Sequence, residues 1–376
     1  MRIVCKLVCN INLKKIIVSV LKYLYFSILS KFYSPFSIRE ESVLLIEFKT
    51  FHGETLPGYV KYLLDLGYNV DVILHKPENN LKNRNDQGLF LCFNTNSKVR
   101  VIFLSSYDIN LLVYSSILFN YKHIIINTFY KEIKRDYFPG LFLLKSVCVV
   151  HNPDVIDIYS KTHKMVSLIK MVSANKNSPL VVNSHYFGDF EKKTTKGNIS
   201  GITTFVTLNS KVSSRRNLNI LFNACDKLYK KGICNFHVKV IGNGLPVPER
   251  FHSNIHDLGF LDFQQMYVEI TASDFFLTLI DQESIEYINK ASGSYQIGYG
   301  FLKPLILHRQ FSEASGFNDM NSILYCDNND LANSMEECIN MSDNDYFHMI
   351  DALENSQKAL YNTSLSNLKK TLETTK

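Results

Sequence analysis

Short runs of apolar residues alternate along the chain with longer segments in which apolar residues recur every three or four positions. Residues 43–48 and 69–74 are short runs of this kind, and the segment 59–66 between them has the longer period and ends before Gly67. A short apolar run predicts a buried strand, and the periodic segment predicts a helix that stops at the glycine. A strand, a helix and a strand in this order predict a βαβ unit on a parallel sheet.

The same alternation extends through the rest of the chain in two blocks. In the first block we predict further strands at 99–104, 123–127, 146–150 and 180–183. A polar, glycine-containing stretch at 191–201 follows this block and predicts a linker. In the second block we predict strands at 204–208, 236–241, 274–280, 304–307 and 323–325, and helices at 216–230, 263–271 and 295–300.

These blocks predict an α/β protein with two tandem Rossmann-like, doubly wound domains. The predicted order is a leader at 1–39, an N-terminal domain at 40–190, a linker at 191–201, a C-terminal domain at 202–345 and a C-terminal helix at 346–376. Doubly wound sheets bind ligands beyond the carboxyl ends of their strands. Two such domains in tandem therefore predict a ligand cleft between them.

The leader differs from the rest of the chain in its charge. It holds seven Lys or Arg residues and no acidic residue, and because the whole chain carries +6, the remainder sums to −1. Residues 16–29 form an apolar stretch interrupted by Lys22, shorter than the about 20 residues that span a bilayer. No small-x-small cleavage site follows, which disfavours secretion. The stretch predicts either an interfacial helix on an anionic membrane, or a leader that packs on the body or is poorly ordered.

Composition excludes several classes of protein. The chain has 376 residues, of which 46% are hydrophobic and 20% charged, enough for two or three globular domains. Its eight cysteines include no C-x-x-C pair, so we expect neither a zinc site nor a disulfide framework and favour a reducing cytoplasm. The D-x-D string at 343–345 precedes a predicted helix and is typical of a helix cap, so we predict no metal site. A body with almost no net charge disfavours a nucleic-acid partner.

Motifs in the second block resemble those of a known family. A strand is followed by a basic residue, Lys211, and a second basic residue, Arg216, opens the next helix. Further strings follow at 238–244 (VKVIGNG), 256–261 (HDLGFL), 272–276 (ASDFF), 290–294 (KASGS) and 300–306 (GFLKPLI). Their order resembles that in family 4 of the GT-B glycosyltransferases, and the resemblance covers residues 42–345. It implies transfer of a sugar from a nucleotide-sugar donor, with retention of anomeric configuration and with no required metal or other cofactor.

The resemblance implies a donor site in the C-terminal domain. The diphosphate leaving group gains negative charge as the sugar departs, so cations and oriented N–H groups stabilise it. Small residues at a helix start also let backbone amides approach phosphate oxygens. An exposed residue at a helix start remains the alternative for Arg216, and an ordinary N-cap remains the alternative for Ser292. The candidate donor-binding residues are Lys211, Arg216, Gly242, Gly244, Glu283, Lys290, Ser292, Gly293 and Ser294.

The chain departs from the family's pattern at one place. Members have two glutamates, separated by seven residues, that flank the donor loop. Here the first position falls near Asn289 and the second at Gln296 or Ile297. Glu283 and Glu286 lie upstream, and either is a candidate carboxylate for the ribose hydroxyls. The departure predicts a divergent branch of the family or a changed donor.

The N-terminal domain supplies the candidates for the acceptor side. His52 and Glu54 lie in the loop between the first strand and its helix, and His151 follows the strand at 146–150. Enzymes of the family use this first loop to approach the acceptor and the transferred sugar, so the resemblance implies catalytic roles for His52, Glu54 and His151. A helix cap remains the alternative for Glu54, and a structural histidine remains the alternative for His151.

We therefore expect a hexosyltransferase-type, retaining glycosyltransferase of bacterial cell-surface polysaccharide synthesis. The resemblance implies a nucleotide-sugar donor and a carbohydrate or lipid-linked oligosaccharide acceptor, with no nucleic-acid partner. The expected location is the cytoplasm or, peripherally, the inner face of the cytoplasmic membrane. Two alternatives remain: a sugar-nucleotide epimerase of the same architecture, and a catalytically silent GT-B-like scaffold at the membrane, which the missing glutamate pair keeps open.

Overall fold

The computed structural model describes residues 21, 24–26, 28–30, 36–49, 52–76, 86–130, 133, 145–193, 195–197, 201–209, 216–242 and 246–374. In this part of the chain two parallel sheets are formed, one of seven strands and one of six. The predicted fold class, two Rossmann-like α/β domains in tandem, is confirmed.

The first sheet is built around a fully buried central strand. Its strands are β1 (Ser42–Ile46), β2 (Asn69–His75), β3 (Val99–Leu104), β4 (His123–Phe129), β5 (Ser146–Val150), β6 (Lys164–Ser167) and β7 (Leu180–Val181), in the order β3-β2-β1-β4-β5-β6-β7. Every residue of β1 is buried, as expected for a parallel strand covered on both faces. The strand order reverses between β1 and β4, so the carboxyl ends of these two strands are where a ligand crevice is expected.

The second sheet repeats this arrangement. Its strands are β8 (Thr203–Asn209), β9 (Phe236–Gly242), β10 (Ile255–Gly259), β11 (Phe275–Leu277), β12 (Leu305–His308) and β13 (Ser322–Tyr325), in the order β10-β9-β8-β11-β12-β13. The reversal here lies between β8 and β11. The carboxyl ends of these two strands therefore define the expected ligand crevice of the second domain.

Helices cover the faces of both sheets. They are α1 (Leu56–Asp65), α2 (Ser106–Tyr114), α3 (Ile156–Tyr159), α4 (Leu218–Lys230), α5 (Phe263–Ala272), α6 (Gly293–Gly300), α7 (Ser312–Ser315), α8 (Leu331–Asn340) and α9 (Asp343–Glu373). The Asn217 side chain caps α4 by accepting from the Asn219 N–H. The chain leaves α4 through Gly232 at φ +75°, a left-handed conformation that glycine adopts without a steric penalty. Gly67, the predicted stop of the first helix, likewise follows α1 with φ +91°, which confirms that prediction.

The helix α9 belongs to both domains. Its N-cap is Ser342, which places Asp343 and Asp345 in the first turn and confirms that this D-x-D string begins a helix. Near its start, Tyr346 donates to the Asp274 carbonyl of the second domain at 3.2 Å. Near its end, the Ser364 hydroxyl accepts from the Asn183 N–H of the first domain at 3.0 Å.

Several predicted boundaries were wrong. The strand β6 was missed because its four residues include Lys164 and Ser167 and form no apolar run. The helix α4 begins at Leu218 rather than at Arg216, because Arg216 forms an isolated antiparallel bridge with Ile280. The predicted strand at 274–280 is shorter and ends at Leu277, where the chain turns to form that bridge.

Most of the leader lies outside the described residues. Its described part includes helical residues between 21 and 30, in which Phe26 packs on Tyr107 and Tyr114 of α2 with ring centroids 5.6 and 5.9 Å away. Arg39 belongs to the folded body, because its Nη2 lies 2.7 Å from the buried Asp71 carboxylate. No helix within the described ranges combines the length and the apolar character that crossing a bilayer requires.

Candidate functional site

The loop after β1 presents the candidate residues of the acceptor side. His52 has a left-handed backbone, with φ +68° and ψ +14°, and begins a short 3-10 turn, Gly53–Thr55, that leads into α1. Its Nδ1 lies 3.4 Å from Glu54 Oε1, and about a third of each side chain is exposed. The His151 ring lies 4.3 Å from the His52 ring, between centroids. The structure therefore brings the three predicted residues together.

The protonation states of this cluster follow from its contacts. His151 Nε2 lies 2.8 Å from the Asn127 carbonyl oxygen, and because a carbonyl only accepts, Nε2 holds the ring proton. Burial, reinforced by the nearby His52, lowers the pKa of His151 to about 3, so the ring is neutral at pH 7. Burial alone would raise the pKa of Glu54, but its hydrogen bond to His52 and the charge of His52 outweigh this and lower that pKa. The cluster thus presents a carboxylate beside a neutral imidazole.

The loop also faces the second domain. Burial and then the charge of Glu54 raise the pKa of Tyr267, which lies on α5. The Tyr267 hydroxyl is buried and has no hydrogen-bond partner in the described part of the chain. The Tyr267 ring also packs on Phe187 of the first domain, with ring centroids 5.6 Å apart, so α5 contacts the first domain here.

Two polar residues behind this cluster were missed by the sequence analysis. Glu47, directly after β1, is 1% exposed, and Asn127 on β4 is fully buried. The Asn127 amide donates to Glu47 Oε2 at 2.7 Å and to the His52 carbonyl at 2.9 Å. The available signal was a glutamate inside the otherwise apolar run at 43–48, since a buried carboxylate needs hydrogen-bond donors around it.

The donor side is organised by Arg216. Its guanidinium is partly buried, with Nη1 donating to the Thr278 carbonyl at 3.2 Å and Nη2 to the Ser294 hydroxyl at 2.9 Å. Burial lowers the pKa of Arg216 to about 10, while Tyr287 and Tyr295 oppose the shift, so the group remains charged at pH 7. No described carboxylate forms an ion pair with it. This cation is therefore not neutralised by the described residues around it.

The first turn of α6 lies directly beside this cation. Ser292 is the N-cap residue, as the alternative for it predicted, but its side chain makes no capping hydrogen bond. A methyl group added at Gly293 would meet no described atom within 4 Å, which leaves open space before the helix. Ser294 is fully buried and accepts from Arg216. An uncapped helix start beside a guanidinium is a favourable place for an anion.

Of the other predicted donor residues, the structure describes Gly242, Glu283 and Lys290. Gly242 ends β9 at φ +134°, and a Cβ there would lie 1.9 Å from the Asn209 carbonyl oxygen, so only glycine fits. Glu283 is exposed on the loop after β11, and Lys290 Nζ lies 5.7 Å from the centre of the Tyr287 ring. Lys211 and Gly244 lie outside the described residues.

The two positions of the missing glutamate pair have other surroundings. The Asn289 side chain accepts from the Val172 N–H at 2.8 Å and donates to the Val172 carbonyl at 2.5 Å. Gln296 is 2% exposed, and its Nε2 has no partner among the described residues. Val172 belongs to the first domain and Asn289 to the loop before α6, so the carboxyl-end loops of the two sheets touch here.

A cavity of about 440 Å³ lies away from both half-sites. Tyr186, Phe190, Phe301 and Tyr361 contribute to its lining, which contains neither His52, His151 nor Arg216. Its lining comes from residues of both domains and from α9. The candidate residues of the acceptor and donor sides described above do not line it. In the described ranges, no three His, Cys, Asp or Glu side chains are grouped so that they could hold a metal ion.

Comparison of the whole chain with solved structures identifies the fold. The match to TarM, a GT-B glycosyltransferase, has a TM-score of 0.57 and 8% sequence identity and covers 91% of this chain and 100% of TarM. This chain has the GT-B fold.

Two matches with lower TM-scores cover a similar share of both chains. A glycosyltransferase from Rickettsia africae matches with a TM-score of 0.47 and 13% identity, over 90% of this chain and 100% of that one. The lipopolysaccharide outer core galactosyltransferase WaaB matches with a TM-score of 0.49 and 10% identity, over 88% and 98%. No protein-family model matches the sequence, and no curated protein sequence matches it. The assignment of the GT-B fold therefore rests on the architecture and on TarM.

Proposed function

We propose that this protein is a retaining glycosyltransferase that transfers a sugar from a nucleotide-sugar donor to a carbohydrate or lipid-linked acceptor. The observation that supports this most directly is the partly buried Arg216 guanidinium beside the uncapped start of α6. It lies next to the segment after β11, where the strand order of the second sheet reverses. A diphosphate placed there would meet a cation and free helix amides together. The GT-B fold is the architecture in which such a site is expected.

The same groups would assist departure of the nucleotide. As the bond to the sugar breaks, negative charge grows on the diphosphate oxygen that leaves, and fixed positive dipoles stabilise that charge more than the ground state. Arg216 donates hydrogen bonds to the Thr278 carbonyl and to the Ser294 hydroxyl. These two bonds fix the direction of the remaining guanidinium N–H groups. Lys211 and Lys290 complete the proposed set of cations. We propose that these groups, rather than a metal ion, neutralise the leaving diphosphate, so transfer should persist in EDTA.

On the acceptor side, His52, Glu54 and His151 would bind the transferred sugar and the acceptor hydroxyl. The neutral His151 ring holds its proton on Nε2, so it can accept a hydrogen bond from a sugar hydroxyl only at Nδ1. Glu54 supplies a carboxylate for sugar hydroxyls at the domain interface. Contacts such as that between Asn289 and Val172 hold the domains together, and closure of the cleft would exclude water that otherwise hydrolyses the donor.

The test is a calorimetric and thermal-shift panel of UDP, GDP, CMP and ADP with their sugar conjugates. One nucleotide diphosphate is expected to bind the wild-type protein and to bind Arg216→Ala about 10- to 100-fold more weakly, since hydrogen bonds to charged groups contribute about 1.5–3 kcal/mol. The matched control is Arg250→Ala, because Arg250 is largely exposed and pairs with Asp226. If no nucleotide binds the folded wild-type protein, or if Arg216→Ala binds it equally well, this donor site is wrong.

We also propose that the leader attaches the enzyme to the inner face of the cytoplasmic membrane of a bacterium. The described helical residues of the leader expose Leu21, Leu24, Tyr25 and Ile28 to solvent, each by about half. The leader also contains only basic charges, which attract anionic headgroups. This location is suited to a lipid-linked acceptor of surface polysaccharide synthesis.

Liposome flotation tests this attachment. The wild-type protein is expected to bind anionic but not neutral vesicles, with binding that weakens as salt rises. The double variant Leu24→Ser/Ile28→Ser is expected to bind less while keeping the packing of Phe26 on α2. Equal flotation of both proteins would remove the leader from the proposal.

A catalytically silent scaffold remains the second candidate, and one observation favours it. The Asn289 amide is already engaged by Val172, and Gln296 offers an amide instead of a carboxylate. Neither position presents the acidic group that the family's pattern requires. Tight nucleotide binding with no transfer to any acceptor, and no hydrolysis of the donor, would favour the scaffold over the enzyme.

A further inference from the structure

A buried carboxylate lies directly behind the acceptor-side histidines. Glu47 Oε2 accepts from Asn127 Nδ2 at 2.7 Å and from the Thr128 hydroxyl at 2.6 Å, and Oε1 accepts from the Lys49 N–H at 2.7 Å. At 1% exposure it has no route to a substrate. Its effect on chemistry must therefore pass through the residues that it binds.

Asn127 connects this carboxylate to both histidines. One Nδ2 hydrogen goes to Glu47 and the other to the His52 carbonyl at 2.9 Å, while the Asn127 main-chain carbonyl accepts from His151 Nε2 at 2.8 Å. The Thr55 hydroxyl lies 2.9 Å from the His52 carbonyl and 2.8 Å from Asn127 Oδ1, and donates its single proton to one of them. A single residue thus contacts the backbone of one histidine and the ring of the other.

The carboxylate determines which way the Asn127 amide faces. If the amide were rotated by half a turn, Oδ1 would lie against Glu47 Oε2, and two acceptors would face each other. The Nδ2 group would then no longer reach the His52 carbonyl. The Glu47 oxygen that accepts from Asn127 therefore selects the orientation in which Asn127 donates to His52.

His52 requires that support. Its backbone is left-handed, a conformation that costs free energy for a residue with a Cβ. Its carbonyl is held by the Asn127 amide and by the Thr55 N–H, which lies 3.2 Å away. Losing the amide leaves the strained turn with fewer constraints, so the His52 ring would no longer be held over the His151 ring.

We propose that Glu47 and Asn127 are positioning residues that hold the His52 turn and the Nε2–H tautomer of His151 ready for substrate. The inference rests on the proposed function for its consequence in catalysis, but the geometry it predicts can be measured without any substrate. It assigns roles to two residues that make no contact with the cleft themselves. The Glu47 oxygen that accepts from Asn127 and Thr128 is what maintains this arrangement.

Hydrogen exchange and histidine NMR test the geometry in the full-length protein. In Asn127→Ala, amide exchange between His52 and Thr55 is expected to quicken about tenfold or more, which corresponds to the loss of one buried hydrogen bond. The ring nitrogen chemical shifts of His52 and His151 are expected to change as well. Asn254→Ala is the matched control, because Asn254 is also a buried asparagine whose Nδ2 bridges two carbonyls, those of Cys234 and Phe236, in the other domain.

Glu47 variants test the same inference if Asn127→Ala does not fold. Glu47→Gln can keep an oxygen facing Asn127 and Thr128 and loses only the Lys49 contact, so it is expected to stay within about threefold of wild type in exchange and transfer. Glu47→Ala is expected to show the faster exchange and a lower kcat, with the Kd for nucleotide unchanged. Unchanged exchange and histidine spectra in both Asn127→Ala and Glu47→Ala would overturn the proposal. If the wild-type protein does not bind nucleotide, the proposed function is wrong. The positioning role of Glu47 and Asn127 is still tested by the exchange rates and the histidine spectra.

Discussion

Replacing Asp274 with asparagine should destabilise the protein far more than the same replacement at a surface ion pair. Asp274 is fully buried, and its Oδ1 lies 2.6 Å from Lys193 Nζ and accepts from the Gly197 N–H at 2.9 Å. Its Oδ2 accepts from the Thr204 N–H at 2.7 Å. The carboxylate therefore ties the interdomain linker to the first strand of the second sheet.

The magnitude follows from these three contacts. Asparagine keeps the size of the side chain but has one oxygen, so if that oxygen faces Lys193 and Gly197, its NH2 group faces the Thr204 N–H. An unpaired buried donor costs about 1–3 kcal/mol, and breaking a buried ion pair costs about 3–5 kcal/mol. Because Lys193 is 22% exposed, we take the lower end, a loss of about 3 kcal/mol in the free energy of unfolding.

The matched control is Asp226→Asn. Asp226 pairs with Arg250 through two contacts of 3.1 Å, but the two side chains are 37% and 61% exposed, so a loss below about 1 kcal/mol is expected. Since the chain contains no tryptophan, urea unfolding should be followed by far-UV circular dichroism. Equal losses in the two variants would refute the reasoning that burial determines the contribution of Asp274.

Three further predictions use other parts of the fold. Burial and then Lys193 lower the pKa of Lys303 to about 7, so between pH 7 and about 10 the unfolded chain binds more protons and stability should rise with pH; urea midpoints of Lys303→Met should lack this rise, and equal pH slopes would contradict it. Gly242→Ala should lower stability by about 2 kcal/mol or more, because its Cβ would overlap the Asn209 carbonyl; an unchanged urea midpoint would show that the strand ends separate easily. Asn289→Asp should open the cleft between the domains, because a carboxylate cannot donate to the Val172 carbonyl. Small-angle scattering should then give a larger radius of gyration than for wild type. Identical scattering profiles would show that this contact does not hold the domains together.

The fold was predictable from the sequence because its central strands are continuous apolar runs. The VLLI segment of β1 and the III segment of β4 are fully buried parallel strands, and this pattern does not depend on distant contacts. The strand β6 contains as many polar as apolar residues, so its pairing with β5 and β7 decides its conformation. Strand pairing across 16 residues or more is not visible in a local pattern.

The candidate site was predictable only in part, for the same physical reason. His52, Glu54 and His151 follow predicted strands, so the topology alone brings them to one edge of the sheet. Glu47 and Asn127 are 80 positions apart, and they meet because Ile46 pairs with Ile126 in the register of β1 and β4. Since that register is a property of the folded sheet, the sequence offered the two polar residues but not their contact.

The helix α9 also has a consequence for how the protein is made. Its later turns supply Leu368 and Leu372, which are almost fully buried in the core that includes the first sheet, and Asn367, whose amide donates to the Val181 carbonyl of β7 at 2.8 Å. The ribosome adds these residues after the whole second domain. The first domain therefore leaves the ribosome with one edge of its core uncovered, and that apolar surface stays open to chaperones or to aggregation until α9 has been synthesised.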